Sequence, residues 1–336
     1  MLAQEENRDM LVLAGDIGGT SARLAYFRIQ GDRTEIVSRH VYKTSEFSTF
    51  AELIEEFVTP RNEQAEAACF SIAGAVLHEH VLTPNLGWTV DAEEVSRRFS
   101  IKQVHVMNDL EANAYGISTL VESDFAVLNE EALEAAGNRA VLSAGTGLGE
   151  AGLYWDGKQH CPFATEGGHA DLAPRNALEV DLFLHLLGRF EPVSCERLVS
   201  GPGIYNVYQF LRDTGRGEEL TQVAEAMKRD SAPAVISRYA LSGVCSLCAQ
   251  TLDVFISLYG AEAGNFALKV MATGGVFIGG GIAPKIIEKL RGPLFMEAFN
   301  AKGRLRNLLE SMPVRAILND MTALQGAARY AAVRFS

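Results

Sequence analysis

The spacing of apolar and polar residues changes period repeatedly along this chain of 336 residues. Short apolar runs at 11–14 and 24–27 read as strands on either side of a turn made of Asp16, Ile17, Gly18, Gly19 and Thr20. A further strand is predicted at 36–42, after which Phe50, Leu53, Ile54, Phe57 and Val58 fall on one face of a helix. Residues 67–73 predict a strand, 76–82 another that runs into the turn Thr83, Pro84, Asn85, and 92–99 a helix. A strand at 104–107 and a helix at 110–120 complete the first half.

The second half uses the same grammar with more helix. Runs at 140–142 and 151–155 flank a second glycine turn of Gly145, Thr146, Gly147, Leu148 and Gly149. Helical spacing covers 179–187, 203–212, 220–228 and a long apolar segment at 234–259, and 270–278 predicts a strand ending in Gly279, Gly280 and Gly281. Val106, Met107, Asn108, Asp109 and Ile317, Leu318, Asn319, Asp320 each put Asn-Asp at a strand end ahead of an alanine-containing helix, the second at 321–333. The repeated turn and the repeated Asn-Asp predict two related α/β halves that pack as lobes with a cleft between them. The smaller lobe is expected to hold 1–118 joined by the C-terminal helix 316–336, and the larger lobe 119–315.

Composition changes this picture mainly by exclusion. With 48% hydrophobic and 21% charged residues the chain can bury a sizeable core. A net charge of −12 opposes binding to nucleic acid or to an anionic membrane and favours a small-molecule partner. The first ten residues carry Glu5, Glu6 and Asp9 and lack the basic end of a signal peptide, and no apolar run is long enough to span a bilayer. The five cysteines are spread out and odd in number, which suits a reducing compartment, so a cytoplasmic protein is expected.

Both glycine turns can converge backbone N–H groups on an anion, with Thr20 and Thr146 adding hydroxyls, although hairpins use glycine whatever they bind. Asp16 is an acid able to attract a phosphate-bound cation. No Lys-Ser or Lys-Thr follows either turn, and no dinucleotide fingerprint is present. Asn108 and Asp109 sit where a helix cap is wanted, and an aspartate there can equally accept a proton during phosphoryl transfer. Glu166, Gly167, Gly168 and His169, with Asp171 beyond, form either a built polar site or a glycine turn whose histidine satisfies a carbonyl, with zinc ligation a third reading. Glu196, Arg197 and Ser200 to Gly203 read as a helix start capped by serine, with Glu196 a surface carboxylate. Cys245 and Cys248 read as buried small residues, and His78, Glu79 and His80 as surface or edge residues.

Taken in order, these motifs resemble the bacterial glucokinase family of the hexokinase and actin-like ATPase superfamily. The resemblance rests on Asp16 to Thr20 with Arg23, Asn108-Asp109, Ala144 to Gly149, Glu166 to His169, Glu196 through Gly203, and Gly274 through Pro284. It implies a two-lobed actin-like ATPase (ribonuclease H-like) fold and ATP-dependent phosphorylation of glucose at the 6-hydroxyl, giving glucose 6-phosphate and ADP. By the same resemblance Asp109 is the base, and Asn85, Asn108, Glu166, His169 and Glu196 hold the sugar hydroxyls. Gly18, Gly19, Thr20, Gly145, Thr146 and Gly147 hold the ATP phosphates with Mg²⁺ near Asp16, Gly279 and Gly280 flank the adenosine, and a homodimer is implied. The related ROK sugar kinases carry a zinc-binding cysteine cluster, which does not follow His169 here. A kinase for another hexose and a sugar sensor without turnover are the rival readings, and a retained Asp109 speaks against the sensor.

Overall fold

The computed structural model describes residues 9–31, 33–72, 74, 80–82, 86–130, 132, 133 and 135–335. The chain folds as two units, 1–121 together with 321–336, and 122–320. The second divide falls a few residues later than the motifs suggest, because Val314–Ile317 is a strand in the sheet of the second unit.

The first unit contains β1 (Asp9–Ile17), β2 (Ser21–Gln30), β3 (Arg33–Lys43), β4 (Ala67–Ile72), β5 (His80–Leu82), β6 (Thr89–Asp91) and β7 (Gln103–Asn108). Its main sheet has the order β3-β2-β1-β4-β7, while β5 and β6 pair separately. β1, β2 and β3 are antiparallel neighbours, and β4 runs parallel to both β1 and β7. Every residue of β4 is buried, as a central strand covered on both faces requires. Alternation along β1 sends Leu13 and Ile17 to one face, where Phe50, Leu53, Ile54 and Phe57 of the helix Phe50–Val58 cover them. That helix starts where Thr49 accepts the Glu52 N–H at 3.2 Å, while Glu52 reaches back to the Ser48 N–H at 2.8 Å.

Val12 and Ala14 face the other way, onto Ala323, Ala327, Ala328 and Ala331 of the C-terminal helix Thr322–Phe335. A Cβ on Gly326 would overlap the Ala112 carbonyl, and one on Gly116 the Thr322 carbonyl. The C-terminal helix and the helix Asp109–Gly116 therefore meet backbone against backbone. The latter helix is shorter than the pattern predicts, since Ile117–Thr119 tightens into a 3-10 turn.

The second unit contains β8 (Phe125–Val127), β9 (Arg139–Ala144), β10 (Leu148–Trp155), β11 (His160–Thr165), β12 (Val276–Gly279) and β13 (Val314–Ile317), in the order β11-β10-β9-β12-β13-β8. Its first five positions repeat the other sheet: an antiparallel β11-β10-β9 set, then β12 and β13 parallel to β9. The duplicated motifs thus mark a duplicated fold.

The apolar segment predicted as one helix is two, Ala232–Leu241 and Ser246–Val270, bent by 103°. Gly243 takes φ +70 at the break, and Cys245 caps the second helix, its Sγ accepting the Cys248 N–H at 3.2 Å. Both cysteines are buried. This helix runs on to Val270, so the strand predicted at 270–278 is only Val276–Gly279. Among the described residues no single helix is long and apolar enough to cross a membrane.

Candidate active site

In the first unit the chemistry gathers along one edge of the sheet. The turn between β1 and β2 closes when the Gly18 N–H donates to the Ser21 carbonyl at 3.0 Å. Thr44, at the end of β3, supports it: its hydroxyl donates to the Gly19 carbonyl at 3.0 Å and its N–H to the Thr20 carbonyl at 3.2 Å. Gly19 and Thr20 are left exposed. Asp16 and Arg23 face each other across the hairpin, with Arg23 Nη1 donating to Asp16 Oδ2 at 3.1 Å. The guanidinium fixes where that carboxylate points.

Ile17 pairs with Ile72 and Ile72 with Asn108, so the Asn108-Asp109 step lies two strands from the turn, about 10 Å at the usual strand spacing. Asn108 caps the helix: its Oδ1 accepts the Leu110 N–H at 2.8 Å and its Nδ2 donates to the Gly74 carbonyl at 3.1 Å. Asp109 is the first helical residue, half-buried, with Oδ1 also receiving the Leu110 N–H at 3.0 Å. Cap and candidate base are therefore neighbouring residues, and the carboxyl end of a parallel strand is where α/β sheets bind ligands.

In the second unit, segments far apart in sequence converge on the second glycine turn. The Gly145 N–H donates to the Gly147 carbonyl and the Gly201 N–H to the Gly145 carbonyl, each at 2.8 Å. Glu196 accepts the Leu148 N–H at 3.0 Å, and a Cβ on Gly147 would overlap the Glu196 carboxylate. Glu196 is half-buried against this turn and is not the surface carboxylate of the simple cap reading, although Ser200 does cap its helix, accepting the Gly203 N–H at 3.0 Å. Gly280, at φ +85, approaches so closely that a Cβ would overlap the Ala144 carbonyl. Gly279 pairs with Ser143.

Glu166 follows β11 and precedes a 3-10 turn, Gly167–His169. The His169 Nε2 and Glu166 Oε2 atoms stand 3.9 Å apart with both side chains exposed, so the histidine faces a carboxylate where the plain turn reading gave it a carbonyl. A Cβ on Gly168 would overlap the Leu148 carbonyl, which seats this turn directly on the glycine turn. In both glycine turns one N–H, that of Gly18 or Gly145, closes the turn itself. Those two residues supply shape, and Gly19, Thr20, Thr146 and Gly147 remain as the groups that can face an anion. Asn85 lies outside the described residues, as do His78 and Glu79.

Three contributors carry no sequence signal. Tyr259, fully buried, receives the Ala144 N–H at 3.3 Å and donates toward the Leu142 carbonyl at 3.2 Å and the Gly279 carbonyl at 3.3 Å, pinning the roots of two glycine segments together. In an apolar helix it reads as an ordinary core aromatic. Thr44, through its hydroxyl, and Gly74, through its carbonyl, act by contacts that only the fold creates.

Two α/β units built on the same strand order, each with a glycine turn beside its parallel strands, define an actin-like kinase fold. A family model described as Glucokinase matches residues 13–334. The glucokinase of Trichormus variabilis is 39% identical over 338 aligned residues, covering 96% of this chain and 99% of that one. The crystal structure of a glucokinase from an Antarctic psychrotroph matches with a TM-score of 0.83 at 30% identity, over 97% of this chain and 100% of that one. A ROK family glucokinase from Streptomyces griseus, solved with glucose and AMPPNP, shares the fold at a TM-score of 0.62 and 20% identity, over 96% and 99% of the two chains. The chain belongs to the glucokinase family.

Proposed function

We propose that this chain carries out the reaction of its family, ATP-dependent phosphorylation of glucose at the 6-hydroxyl to give glucose 6-phosphate and ADP, with Asp109 as general base. The observation that carries the assignment is the division of labour at the end of β7. Asn108 makes the cap, and the Asp109 carboxylate stands at the same sheet edge as the Gly18–Gly19 turn. In the reaction Asp109 takes the proton of the 6-hydroxyl as that oxygen bonds to the γ-phosphorus and the bond to ADP breaks. Asn85, Asn108, Glu166, His169 and Glu196 read the remaining hydroxyls, whose mixed donor and acceptor character suits carboxylates, an amide and an imidazole.

Gly19, Thr20, Thr146 and Gly147 receive the phosphates of ATP, with Gly18 and Gly145 shaping the turns, and Gly279 and Gly280 flank the adenosine. Mg²⁺ in such sites is held by one or two carboxylates together with phosphates and water, and Asp16, a carboxylate oriented by Arg23 beside a glycine turn, fits that donor set. When bound, the ion neutralises phosphate charge.

The purified chain is tested with ATP and glucose, mannose, fructose or N-acetylglucosamine, and the product is assigned by phosphorus NMR. Glucose 6-phosphate as the preferred product is expected. ADP release no faster with glucose than without any sugar would contradict the reading.

A further inference from the structure

Glu150, on β10, exposes none of its surface, and neither of its carboxyl oxygens has a hydrogen-bond partner among the described residues. A buried carboxyl with no partner carries a desolvation cost that calls for a reason. Its surroundings supply one. The carboxyl fills the space that a side chain at position 167 would need, since a Cβ on Gly167 would overlap Oε2. Thr165 pairs with Glu150 across the two strands, donates its hydroxyl to the Glu150 carbonyl at 2.9 Å and accepts the Gly167 N–H at 3.1 Å. The turn that carries Glu166 and His169 thus rests on Glu150.

We propose that Glu150 is a positioning residue for glucose binding: uncharged, its carboxyl supports the Glu166–His169 turn, and its ionisation displaces that turn and weakens the hold on the sugar. The inference rests on the reading of that turn as part of the sugar site.

Beyond Glu166 and His169 of the turn itself, the charged and titratable groups around Glu150 come from three elements. The helix Ser246–Val270 supplies Glu262, Tyr259 and Lys269, with Lys269 Nζ 4.0 Å from Glu262 Oε1. Cys195, from the segment ahead of Ser200, donates its thiol to Glu262 Oε2 at 3.3 Å. Lys302 lies further out, bonded to the Ala261 carbonyl at 2.9 Å, and feels Glu262. Burial first, and the Glu262 charge second, push the Glu150 carboxyl up to about 8 against the opposing pull of Lys269. It is therefore neutral at neutral pH and charged in mild alkali. A charged carboxylate here must gain water, and the turn is the covering that can lift, because the other sides are strand backbone and packed helix.

The test is the dissociation constant of glucose, measured by calorimetry without ATP from pH 6 to pH 9.5, for the full chain and for Glu150→Gln. The amide keeps the shape and cannot ionise. If only the neutral form binds, the wild-type constant rises about tenfold between pH 7 and pH 9, following the shrinking competent fraction, while the variant stays flat. Equal pH dependence in the two proteins would overturn the proposal and leave the proposed function intact. No glucose binding by either protein at any pH would overturn that function and this inference with it. Should Glu150→Gln fail to fold, Glu262→Gln answers the same question. Removing the neighbouring charge must move the alkaline loss of glucose binding to lower pH, and an unmoved profile would refute the role.

Discussion

Asp109 stands in the first turn of a helix whose cap Asn108 makes, its Oδ1 sharing the Leu110 N–H, and its carboxylate is the proposed base. Asp109→Ala is expected to cost roughly 10² to 10⁴ in kcat with a smaller change in glucose affinity, read from steady-state kinetics beside calorimetric binding. Glu196 does two things, taking the Leu148 N–H and standing among the groups proposed to hold the sugar. Removing a charge-assisted hydrogen bond costs about 1.5–3 kcal/mol, so Glu196→Ala should raise the KM for glucose by roughly 10-fold or more. Glu150 gives a stability signature of its own. Its pKa when folded lies above that of the unfolded chain, so its contribution is intact below the ordinary carboxylate range and is lost as pH rises to about 8. The stability of Glu150→Gln minus that of the wild type should therefore grow from about pH 4.5 to about pH 8 and then level off, as urea unfolding across pH would report. The candidates legible in the sequence at this scale are polar residues stranded among glycines between apolar runs, such as Asp16 and Glu166, whereas Glu196 reads as a surface carboxylate and enters only through the family resemblance. Glu150 and Tyr259 are hidden because their meaning depends on what packs against them, and a strand or an apolar helix gives no hint of that.

The elements that hold these residues work through close approach. Gly326 brings the C-terminal helix onto the backbone of Ala112, within the helix that Asp109 begins, and Gly168 seats the Glu166 turn on Leu148. Gly326→Ala must push the two helices apart and should cost roughly 1–3 kcal/mol of unfolding free energy, with kcat falling as Asp109 shifts. The alternating hairpins and the amphipathic helix at Phe50–Val58 were readable because one face of each is buried and the other is not. The long apolar segment was misread for the opposite reason. The helix Ser246–Val270 is buried on many sides, so little polar stripe marks where it starts, and the bend at Gly243 falls among small residues, Ser242 to Ser246, that interrupt the apolar spacing only briefly. The strand expected at 270–278 shrank because the same helix continues to Val270.

Across the whole molecule the two sheets repeat one strand order, and Asn108 ends β7 while Asn319 lies just beyond the corresponding strand β13. The repeat was visible in the paired motifs. The point where the chain leaves the second unit was not, because the short strand Val314–Ile317 carries too few residues to show which sheet it joins. The central claim is that one carboxylate, Asp109, turns sugar binding into phosphoryl transfer. The most direct measurement is the ATP-dependent turnover of glucose by the chain and by Asp109→Asn, with the glucose dissociation constant of each taken in parallel. The account predicts glucose 6-phosphate from the wild type, and turnover reduced roughly 10²-fold or more in a variant that still binds glucose. Turnover by Asp109→Asn equal to that of the wild type would contradict it.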